Sequence, residues 1–445
     1  MNRLTQKTFL FLLVALALAS GLLWSQRNWE KEPTGDGYHY NKYALSLVNE
    51  GRFAADGELT QRRDPGYSFF LAAVYSIWGV NYTIVKLLQI VMFAAIVLTT
   101  YFLARQLFDN ESIARWSGIF SGLFYPLAMF GGIFYTELLF TLVFLLAIWF
   151  FIKGWKVENK YYYAVSGLFF GMAILTRSVI VYFPVLLLIA YPLLQKESRK
   201  KALVASFLFL FCTALVVTPW MTRNQRNFGD FAVSAQEGSI LFFAVQRLKI
   251  QNSDLTKVFT ANILGDFFAQ KIFGSYDRQK IEEGDFGQVH TELAEQGLNQ
   301  DEINTKVYQL AVGEFKSKTL RYFLVVPPIE FLKLHTPIFP FETAQGLFSD
   351  PGTHQEIPDF VKGAIILFVR LAYLLFLSGV LYGIIRSGKL WRQHLIILLL
   401  LFYIIGVYSV LHGIPRYILP IFPLYIIFFS YGVLVLRKKS NEQTL

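Results

Sequence analysis

The sequence predicts an all-α polytopic membrane protein built from about ten transmembrane helices, within a range of nine to thirteen. Of its 445 residues, 54% are hydrophobic, and the mean hydropathy is +0.43. A soluble protein of this length has too little interior to bury so much apolar surface. The apolar residues also cluster in runs of about 18–25, the length a helix needs to cross about 30 Å of hydrocarbon.

Ten runs have this character. They are 8–25, 84–105, 113–131, 133–153, 161–177, 179–195, 202–220, 361–386, 393–412 and 416–436. The first also has features of a signal peptide, because Arg3 and Lys7 precede its apolar core and small residues follow at Ala17, Ala19 and Ser20. Its core is long, and an uncleaved helix fits the charge pattern, so we interpret it as transmembrane.

The basic residues orient the chain. Its net charge of +10 would suit a nucleic-acid-binding protein, but Lys and Arg lie mostly in short blocks between apolar runs. These blocks are 153–160, 195–201, 386–392 and 437–440. The positive-inside rule places such blocks in the cytoplasm. We therefore expect both termini to be cytoplasmic and no nucleic-acid partner.

This orientation suggests three regions. Residues 1–220 would form an N-terminal transmembrane module that contains an outer loop, 26–83. Residues 221–360 would form a periplasmic or interfacial region, and residues 361–445 the last helices and a basic cytoplasmic tail. The long region mixes both charge signs with Gly and Pro, and its apolar spacing predicts an amphipathic helix near 301–318.

The outer loop is predicted to be structured. Apolar and aromatic side chains fall on one face of a helix at Tyr40, Tyr43, Ala44, Leu47 and Val48. We interpret this as a helix on the outer membrane surface with its tyrosines at the level of the headgroups. The apolar stretch that follows "RRDPGY" is too short to span and predicts an interfacial or re-entrant helix.

Ionisable residues near the outer ends of the spans are the candidates for function, since charges there are costly. They are Asp36, Glu137, Arg177, Arg223 and Arg416. Arginine suits bidentate recognition of phosphate, and a carboxylate can act as a general base. Two acids and three arginines on one side of the membrane indicate a phosphate-bearing substrate and a proton-accepting group.

Each of these residues also has a structural explanation. Asp36 could cap the helix that follows it, and Glu137 could bond Ser or Thr side chains in the bundle. Arg177 and Arg223 could anchor the protein at lipid headgroups, and Arg416 could be a topological charge. Their shared side of the membrane favours the functional interpretation.

The remaining patterns exclude several classes of site. His39 follows Asp36 by three residues and could form half of a metal site, but no third ligand is evident, so no metal is predicted. We interpret His335, His354 and His412 as polar surface residues. A single cysteine, Cys212, excludes a disulfide pair. The sequence has no phosphate-binding P-loop, dinucleotide fingerprint or nucleophile elbow.

Six short segments carry a family resemblance. They are "DGYHYNKYALSLVNEGRF", "RRDPGYSFFLA", "YPLAMFGGIFYTELLF", "GMAILTRSVIVYFP", "TPWMTRNQRNFGDF" and "RYILPIFPLY". In this order and spacing the chain resembles bacterial family-39 glycosyltransferases. These are C-type (GT-C) membrane transferases, related to protein O-mannosyltransferases and to the aminoarabinose transferase acting on lipid A. Between residues 221 and 360 the resemblance covers only the start and the vicinity of 320–337.

The resemblance implies a GT-C bundle and an inverting transfer at the outer face of a bacterial inner membrane. The donor would be a sugar on a polyprenyl phosphate, and the acceptor a hydroxyl of a lipid, glycan or protein. Asp36 would be the catalytic base, and Arg416, with Arg177 or Arg223, would hold the donor phosphate. The cavity or acceptor site would include Tyr40, Glu137, His39, Arg63 and Tyr417.

The sequence departs from the family pattern at one position, and two alternative functions remain. Many relatives have a second acid directly after the catalytic Asp, where this sequence has Gly37, which weakens a two-carboxylate or metal-bridged arrangement. A lipid or small-molecule transporter would also have many helices and intramembrane charges. An O-antigen ligase or polymerase would share the long outer region.

Overall fold

The computed structural model describes residues 5–235, 237–274, 276–277, 281, 286–298, 300–337 and 358–443. Within these residues the secondary structure is helical apart from one two-stranded ribbon, so the predicted all-α fold is confirmed. The chain divides into two compact units. The first comprises Met1–Ser234, Leu377–Phe402 and Leu419–Leu445, and the second Ala235–Phe376 and Tyr403–Ile418. His354, interpreted above as a surface residue, lies outside the described residues.

Helices make up most of both units. In the first unit they are α1 (Gln6–Ser25), α2 (Asp36–Glu50), α3 (Gly66–Trp78), α4 (Tyr82–Phe108), α5 (Glu111–Gly122), α6 (Tyr125–Ala128), α7 (Glu137–Val157), α8 (Lys160–Thr176), α9 (Phe183–Leu194) and α10 (Arg199–Phe228). In the second unit they are α11 (Glu237–Gln246), α12 (Asn252–Leu264), α13 (Asp266–Phe273), α14 (Phe286–Glu295), α15 (Gln300–Ser317) and α16 (Thr319–Leu334).

Three long helices end the chain. They are α17 (Asp359–Arg386), α18 (Trp391–Val410) and α19 (Phe422–Gln443). Short 3-10 turns occur at Gln26–Asn28, Met129–Gly132, Ser178–Ile180, Lys196–Ser198, Arg247–Lys249, Ser387–Leu390 and Pro415–Ile421.

Six helical stretches among the described residues are long and apolar enough to cross a membrane. They are Gln6–Ser25, Tyr82–Phe108, Glu137–Val157, Lys196–Phe228, Asp359–Val410 and Pro415–Arg437. The fifth holds two helices, α17 and α18, joined by a 3-10 turn. The predicted spans 161–177 and 179–195 correspond to the shorter helices α8 and α9.

The predicted span 113–131 is not one continuous helix. Helix α5 ends at Gly122, and the chain then forms the single turn α6 and a 3-10 turn. Pro126 cannot donate a helical hydrogen bond. Gly131 and Gly132 lie so close to Ser25 of α1 that an added Cβ at either would clash with it. This close contact between segments interrupts the helix.

Asparagines define where three of these helices begin. The side chain of Asn81 accepts a hydrogen bond from the Ile84 amide, at 3.2 Å, at the start of α4. Asn110 and Asn159 cap α5 and α8 in the same way. An N-cap side chain satisfies a backbone amide that has no partner within the helix, which matters most where water is scarce.

Glycines allow α8 and α10 to pack closely. An added Cβ at Gly167 would lie 2.5 Å from the Phe209 carbonyl oxygen, and one at Gly171 would lie 2.6 Å from Val216 Cβ. The Thr213 hydroxyl donates to the Gly167 carbonyl at 3.1 Å. Small residues four apart are typical of helix contacts in membranes, where packing and interhelical hydrogen bonds drive association.

Glycines also allow α17 and α19 to pack closely. An added Cβ at Gly383 would overlap the Phe428 carbonyl, and one at Gly432 would lie 2.7 Å from the Gly379 carbonyl. The two backbones therefore touch at this crossing, and each of the three glycines is sterically required.

The segment between α2 and α3 contains a β-hairpin that was not predicted from the sequence. Strands β1 (Ala54–Ala55) and β2 (Glu58–Leu59) pair in antiparallel register, with Ala54 opposite Leu59. The turn residues Asp56 and Gly57 have φ of +53° and +83°. Positive φ at both positions is typical of a type I′ turn, for which Asp-Gly is a favoured pair.

Helix α2 forms where it was predicted, but two of its tyrosines are buried within the protein. Tyr40 and Tyr43 are 7% and 1% exposed. Tyr40 packs edge-on against Tyr67 of α3, and Ser68 donates to the Tyr40 carbonyl at 3.1 Å. Ala44 is also buried, whereas Val48 on the same face is 37% exposed, so most of the apolar periodicity of α2 reflects a protein core.

The second unit has its own core around α11, α14, α15 and α16. The predicted helix near 301–318 is α15, and Ile303 and Val307 are buried in this core. Glu330 of α16 is fully buried and accepts from Arg247 Nε and from the Gly413 amide, both at 2.7 Å. The hydrogen bond from the Gly413 amide to this carboxylate stabilises the turn that precedes Arg416.

Candidate active site

Asp36 lies at the start of α2 and forms an ion pair. Its Oδ1 lies 2.8 Å from Nη2 of Arg63, and each side chain is 21% exposed. Gly35, with φ of +57°, occupies the cap position, so Asp36 is the first helical residue and not the cap. A carboxylate in the first turn interacts favourably with the helix dipole. Asp36 is thus held by charge and still reached by solvent.

A second ion pair joins Glu137 and Arg177. Glu137 Oε1 lies 2.5 Å from Arg177 Nη2, and the side chains are 1% and 11% exposed. Arg177 Nε also donates to the Thr136 hydroxyl at 2.8 Å. Glu137 is the first residue of α7, and Arg177 directly follows the last residue of α8. The pair therefore joins two helix ends. Removing one partner would leave a buried charge uncompensated.

Tyr40 lies within reach of both pairs. Burial raises the pKa of its hydroxyl well above the usual range, and four charges also act on that pKa. These charges belong to Arg63, Asp64, Asp36 and Arg177. The structure therefore brings together side chains from α2, from the loop before α3 and from the end of α8, and it keeps Tyr40 protonated.

His39 is next to this group but carries no charge at neutral pH. Burial, Arg62 and Arg63 lower its pKa below the ordinary value of 6.5, and Asp36 only partly opposes them. Its ring stacks on Tyr43 with centroids 6.4 Å apart. Among the described residues, no three His, Cys, Asp or Glu side chains are grouped as metal ligands would be.

Asp64, which follows Arg63, is a buried acid that was not predicted as a site residue. Oδ2 accepts from the Ser178 amide at 3.0 Å, and Oδ1 accepts from the Ser234 hydroxyl at 2.7 Å. Gly66 packs on the end of α8, where an added Cβ would lie 2.6 Å from Thr176 Oγ1. The motifs "RRDPGY" and "LTR" are therefore in direct contact.

Arg223 binds the hairpin. Its guanidinium donates to the carbonyls of Thr60 and Phe53 at 2.8 and 3.1 Å. It also lies over the Trp220 ring, 4.8 Å from the centroid. These contacts favour a structural role for Arg223. Its predicted role in phosphate binding stays a prediction.

Arg416 and Tyr417 belong to the second unit. The Arg416 guanidinium lies over the ring of Tyr417, 5.7 Å from the centroid, and that ring stacks on Tyr408. The preceding turn is fastened by the bond from the Gly413 amide to Glu330. The role of Arg416 at the donor phosphate, and that of Tyr417 in the cavity, stay predictions.

Comparison with known proteins identifies the fold. Residues 62–222, less than half of the chain, match the family model of dolichyl-phosphate-mannose-protein mannosyltransferase. A structure of the oligosaccharyltransferase AglB from Archaeoglobus fulgidus, in complex with an inhibitory peptide and a dolichol-phosphate, matches with a TM-score of 0.53 and 14% identity. The match covers 99% of this chain and 52% of that one. The chain has the GT-C fold.

A second structure of the Archaeoglobus fulgidus oligosaccharyltransferase is tethered by a disulfide to an acceptor peptide containing the NVT sequon. It matches with a TM-score of 0.52, 14% identity, and coverage of 98% of this chain and 50% of that one. The chain thus spans about half the length of these GT-C proteins.

A third similar structure is ArnT from Cupriavidus metallidurans bound to undecaprenyl phosphate. It matches with a TM-score of 0.42, 13% identity, and coverage of 97% of this chain and 78% of that one. No curated protein matched the sequence significantly.

The absence of a side chain at Gly37 has a steric explanation. An added Cβ at Gly37 would lie 2.8 Å from the carbonyl oxygen of Phe134 and 3.1 Å from its Cβ. The backbone of the segment before α7 therefore occupies the space that a second acid after Asp36 would need. A two-carboxylate arrangement at this position does not fit the residues present.

Proposed function

We propose that this chain is an inverting glycosyltransferase that moves a sugar from a polyprenyl phosphate to an acceptor hydroxyl. The observation that carries the proposal is the Asp36 carboxylate, partly exposed and paired with Arg63 at the start of α2 in a GT-C fold. The dolichol-phosphate and acceptor peptide bound by the structural relatives support a lipid phosphate and an acceptor as substrates.

In the proposed reaction Asp36 takes the proton of the acceptor hydroxyl. The resulting oxygen attacks the anomeric carbon from the face opposite the phosphate. A carbon–oxygen bond to the acceptor forms as the bond from the anomeric carbon to the phosphate oxygen breaks, so the configuration inverts. Polyprenyl phosphate leaves with the bonding electron pair, and the proton passes from Asp36 to water.

The charged neighbours would serve this chemistry by positioning and electrostatics, because the donor already has a good leaving group. Arg63 orients the Asp36 carboxylate. Arg177, paired with Glu137, contributes a fixed positive charge that acts on Tyr40. Arg416 remains our candidate for the negative charge that develops on the departing phosphate.

We place the reaction at the outer face of a bacterial cytoplasmic membrane, with both termini in the cytoplasm. The distribution of the basic blocks supports this orientation. Polyprenyl phosphate would be supplied from the bilayer. The acceptor, whether lipid, glycan or protein, would approach from the periplasm.

A turnover assay tests the proposal. Purified protein in detergent receives radiolabelled polyprenyl-phosphate sugars, with crude envelope extract as the acceptor source. We expect wild type to release label from the lipid and Asp36→Asn to lose at least about a hundredfold in rate, the scale of general-base catalysis. Asp56→Asn is the matched control, since its position in the hairpin turn, at φ of +53°, also suits Asn.

Each result has a clear meaning. Loss of transfer only in Asp36→Asn supports the transferase, and the labelled product names the acceptor. Equal rates for wild type and Asp36→Asn would refute the role of Asp36. If no donor loses its sugar with wild type, the transporter alternative becomes the better explanation and lipid-flipping assays follow.

A further inference from the structure

The carboxylate of Asp64 joins three distant parts of the first unit. Its two oxygens accept from Ser178 and Ser234, which are 114 and 170 residues away in sequence. Asp64 is 7% exposed. Burial raises its pKa above the ordinary value, while the bonds from Ser234 and Ser178 and the charge of Arg177 oppose that rise.

These hydrogen bonds are adjacent to both arginines of the candidate site. Arg63, which pairs with Asp36, directly precedes Asp64, and Arg177, which pairs with Glu137, directly precedes Ser178. The bond from the Ser178 amide to Asp64 therefore joins the backbone segments that carry the two guanidinium groups. A shift of either segment would move one arginine relative to the other.

Neighbouring contacts also hold the segment around Arg63 and Asp64 in place. Gly66 packs against Thr176, and an added Cβ at Gly66 would also lie 2.8 Å from the Leu175 backbone. On the other side of Arg63, the side-chain Nε2 of Gln61 donates to Oδ2 of Asp230 at 2.8 Å. The segment with Arg63 is thus fastened both before and after that residue.

We propose that Asp64 is a positioning residue that fixes Arg63 and Arg177 relative to each other through its bonds to Ser178 and Ser234. The inference rests on the proposed function only for its effect on catalysis. In this role Asp64 accepts hydrogen bonds and takes no proton from the substrate, so we expect the geometry of its hydrogen bonds to matter more for catalysis than its negative charge.

Asparagine separates these two properties. In Asp64→Asn, the amide oxygen can still accept from the Ser178 amide, and its NH2 can donate to the Ser234 hydroxyl, which is also an acceptor. Asp64→Ala removes both bonds. We expect Asp64→Asn to stay within about threefold of the wild-type kcat, and Asp64→Ala to lose at least about tenfold, because small misplacements in an active site are costly.

Serine variants provide a matched control. Ser234→Ala removes one bond of Asp64, whereas Ser166→Ala removes an equally buried bond, from Ser166 to the Ala147 carbonyl at 2.6 Å, within the helix bundle. Both should lower thermal stability to a similar extent. We expect kcat per folded molecule to fall in Ser234→Ala and to stay unchanged in Ser166→Ala.

Hydrogen exchange tests the inference without using activity. In Asp64→Ala, amides of residues 60–66 and 176–180 should exchange faster than in wild type, and in Asp64→Asn they should not. Unchanged exchange in Asp64→Ala, or an Asp64→Asn variant as inactive as Asp64→Ala, would overturn the inference. If wild type transfers no sugar at all, the proposed function fails, and the exchange comparison still decides the role of Asp64.

Discussion

At the residue scale, the space at Gly37 leaves no room for a side chain next to the candidate catalytic acid Asp36. Since an added Cβ would meet the backbone of Phe134 at 2.8 Å, even alanine requires a shift of α2 or of the segment before α7. We expect Gly37→Ala to lower the free energy of unfolding by about 1–3 kcal/mol, the usual cost of overpacking, and to reduce transfer. Thermal unfolding in detergent measures the first effect.

The control for Gly37 is Gly313 of α15, where an added Cβ meets nothing within 4 Å. Gly313→Ala should be neutral or stabilise by up to about 1 kcal/mol, because alanine favours helix. If the two variants unfold at the same temperature, steric crowding at Gly37 is not the explanation for its identity.

His39 should make stability depend on pH. Burial and the charges of Arg62 and Arg63 lower its pKa in the folded state, whereas the unfolded chain has the ordinary value of 6.5. Below about pH 6.5 the unfolded chain therefore binds more protons, and the free energy of unfolding falls as the pH drops. Above that pH, His39 has no such effect.

The matched variant is His39→Gln, which stays neutral throughout. Thermal unfolding between about pH 5 and pH 8 should show a weaker loss of stability at the acid end in His39→Gln than in wild type. Parallel curves for the two proteins would contradict a lowered pKa of His39.

At the residue scale, the sequence predicts candidate site residues but not the side chains that surround them. Asp36, Glu137 and Arg177 are candidates because a charge near the end of an apolar run is unusual. Asp64 was missed because its partners, Ser178 and Ser234, are small polar residues far away in the chain. No local spacing shows that their hydrogen bonds meet.

Among the elements, the β-hairpin between α2 and α3 depends on a residue from α10. Arg223 donates to the carbonyls of Thr60 and Phe53, which flank the two strands. Replacing it by glutamine removes charge-assisted bonds, and we expect a loss of about 1–3 kcal/mol. Hydrogen exchange should speed up across residues 53–60, and proteases should cut the turn sooner.

Arg226, exposed on the same helix, provides the comparison. Arg226→Gln should leave the hairpin unchanged. If Arg223→Gln raised the KM for the donor while exchange across the hairpin stayed at the wild-type rate, phosphate binding would be its better assignment.

The elements also show where periodicity misleads. Long apolar runs correctly predicted α4, α7, α10, α17, α18 and α19, because a helix that crosses a bilayer needs a certain length and an apolar composition. The apolar face of α2 looked interfacial because periodicity cannot tell a lipid boundary from a protein core. The hairpin was missed although Asp56-Gly57 is a turn signal, since each of its strands has only two residues.

For the whole molecule, the orientation in the membrane can be tested with introduced cysteines. Cys212 is the single cysteine and is buried, so Cys212→Ala supplies a background without thiols. Glu58→Cys in the hairpin and Lys389→Cys in a basic block are both at exposed positions. A membrane-impermeant maleimide applied to intact spheroplasts should label the first and not the second.

Permeabilised cells supply the control, because both cysteines should then react. Labelling of Lys389→Cys in intact spheroplasts, with protection of Glu58→Cys, would invert the orientation. The candidate site would then face the cytoplasm, and a periplasmic reaction would be refuted.

The glycine contact between α17 and α19 bears on biogenesis. Gly379 and Gly383 are synthesised and inserted well before Gly432, which touches the Gly379 backbone. Until α19 emerges from the ribosome, this groove of α17 has no α19 to fill it. A bulky side chain at Gly432 would therefore act only after α17 has been inserted, leaving a chain whose α19 cannot dock against α17 and which membrane quality-control proteases can recognise.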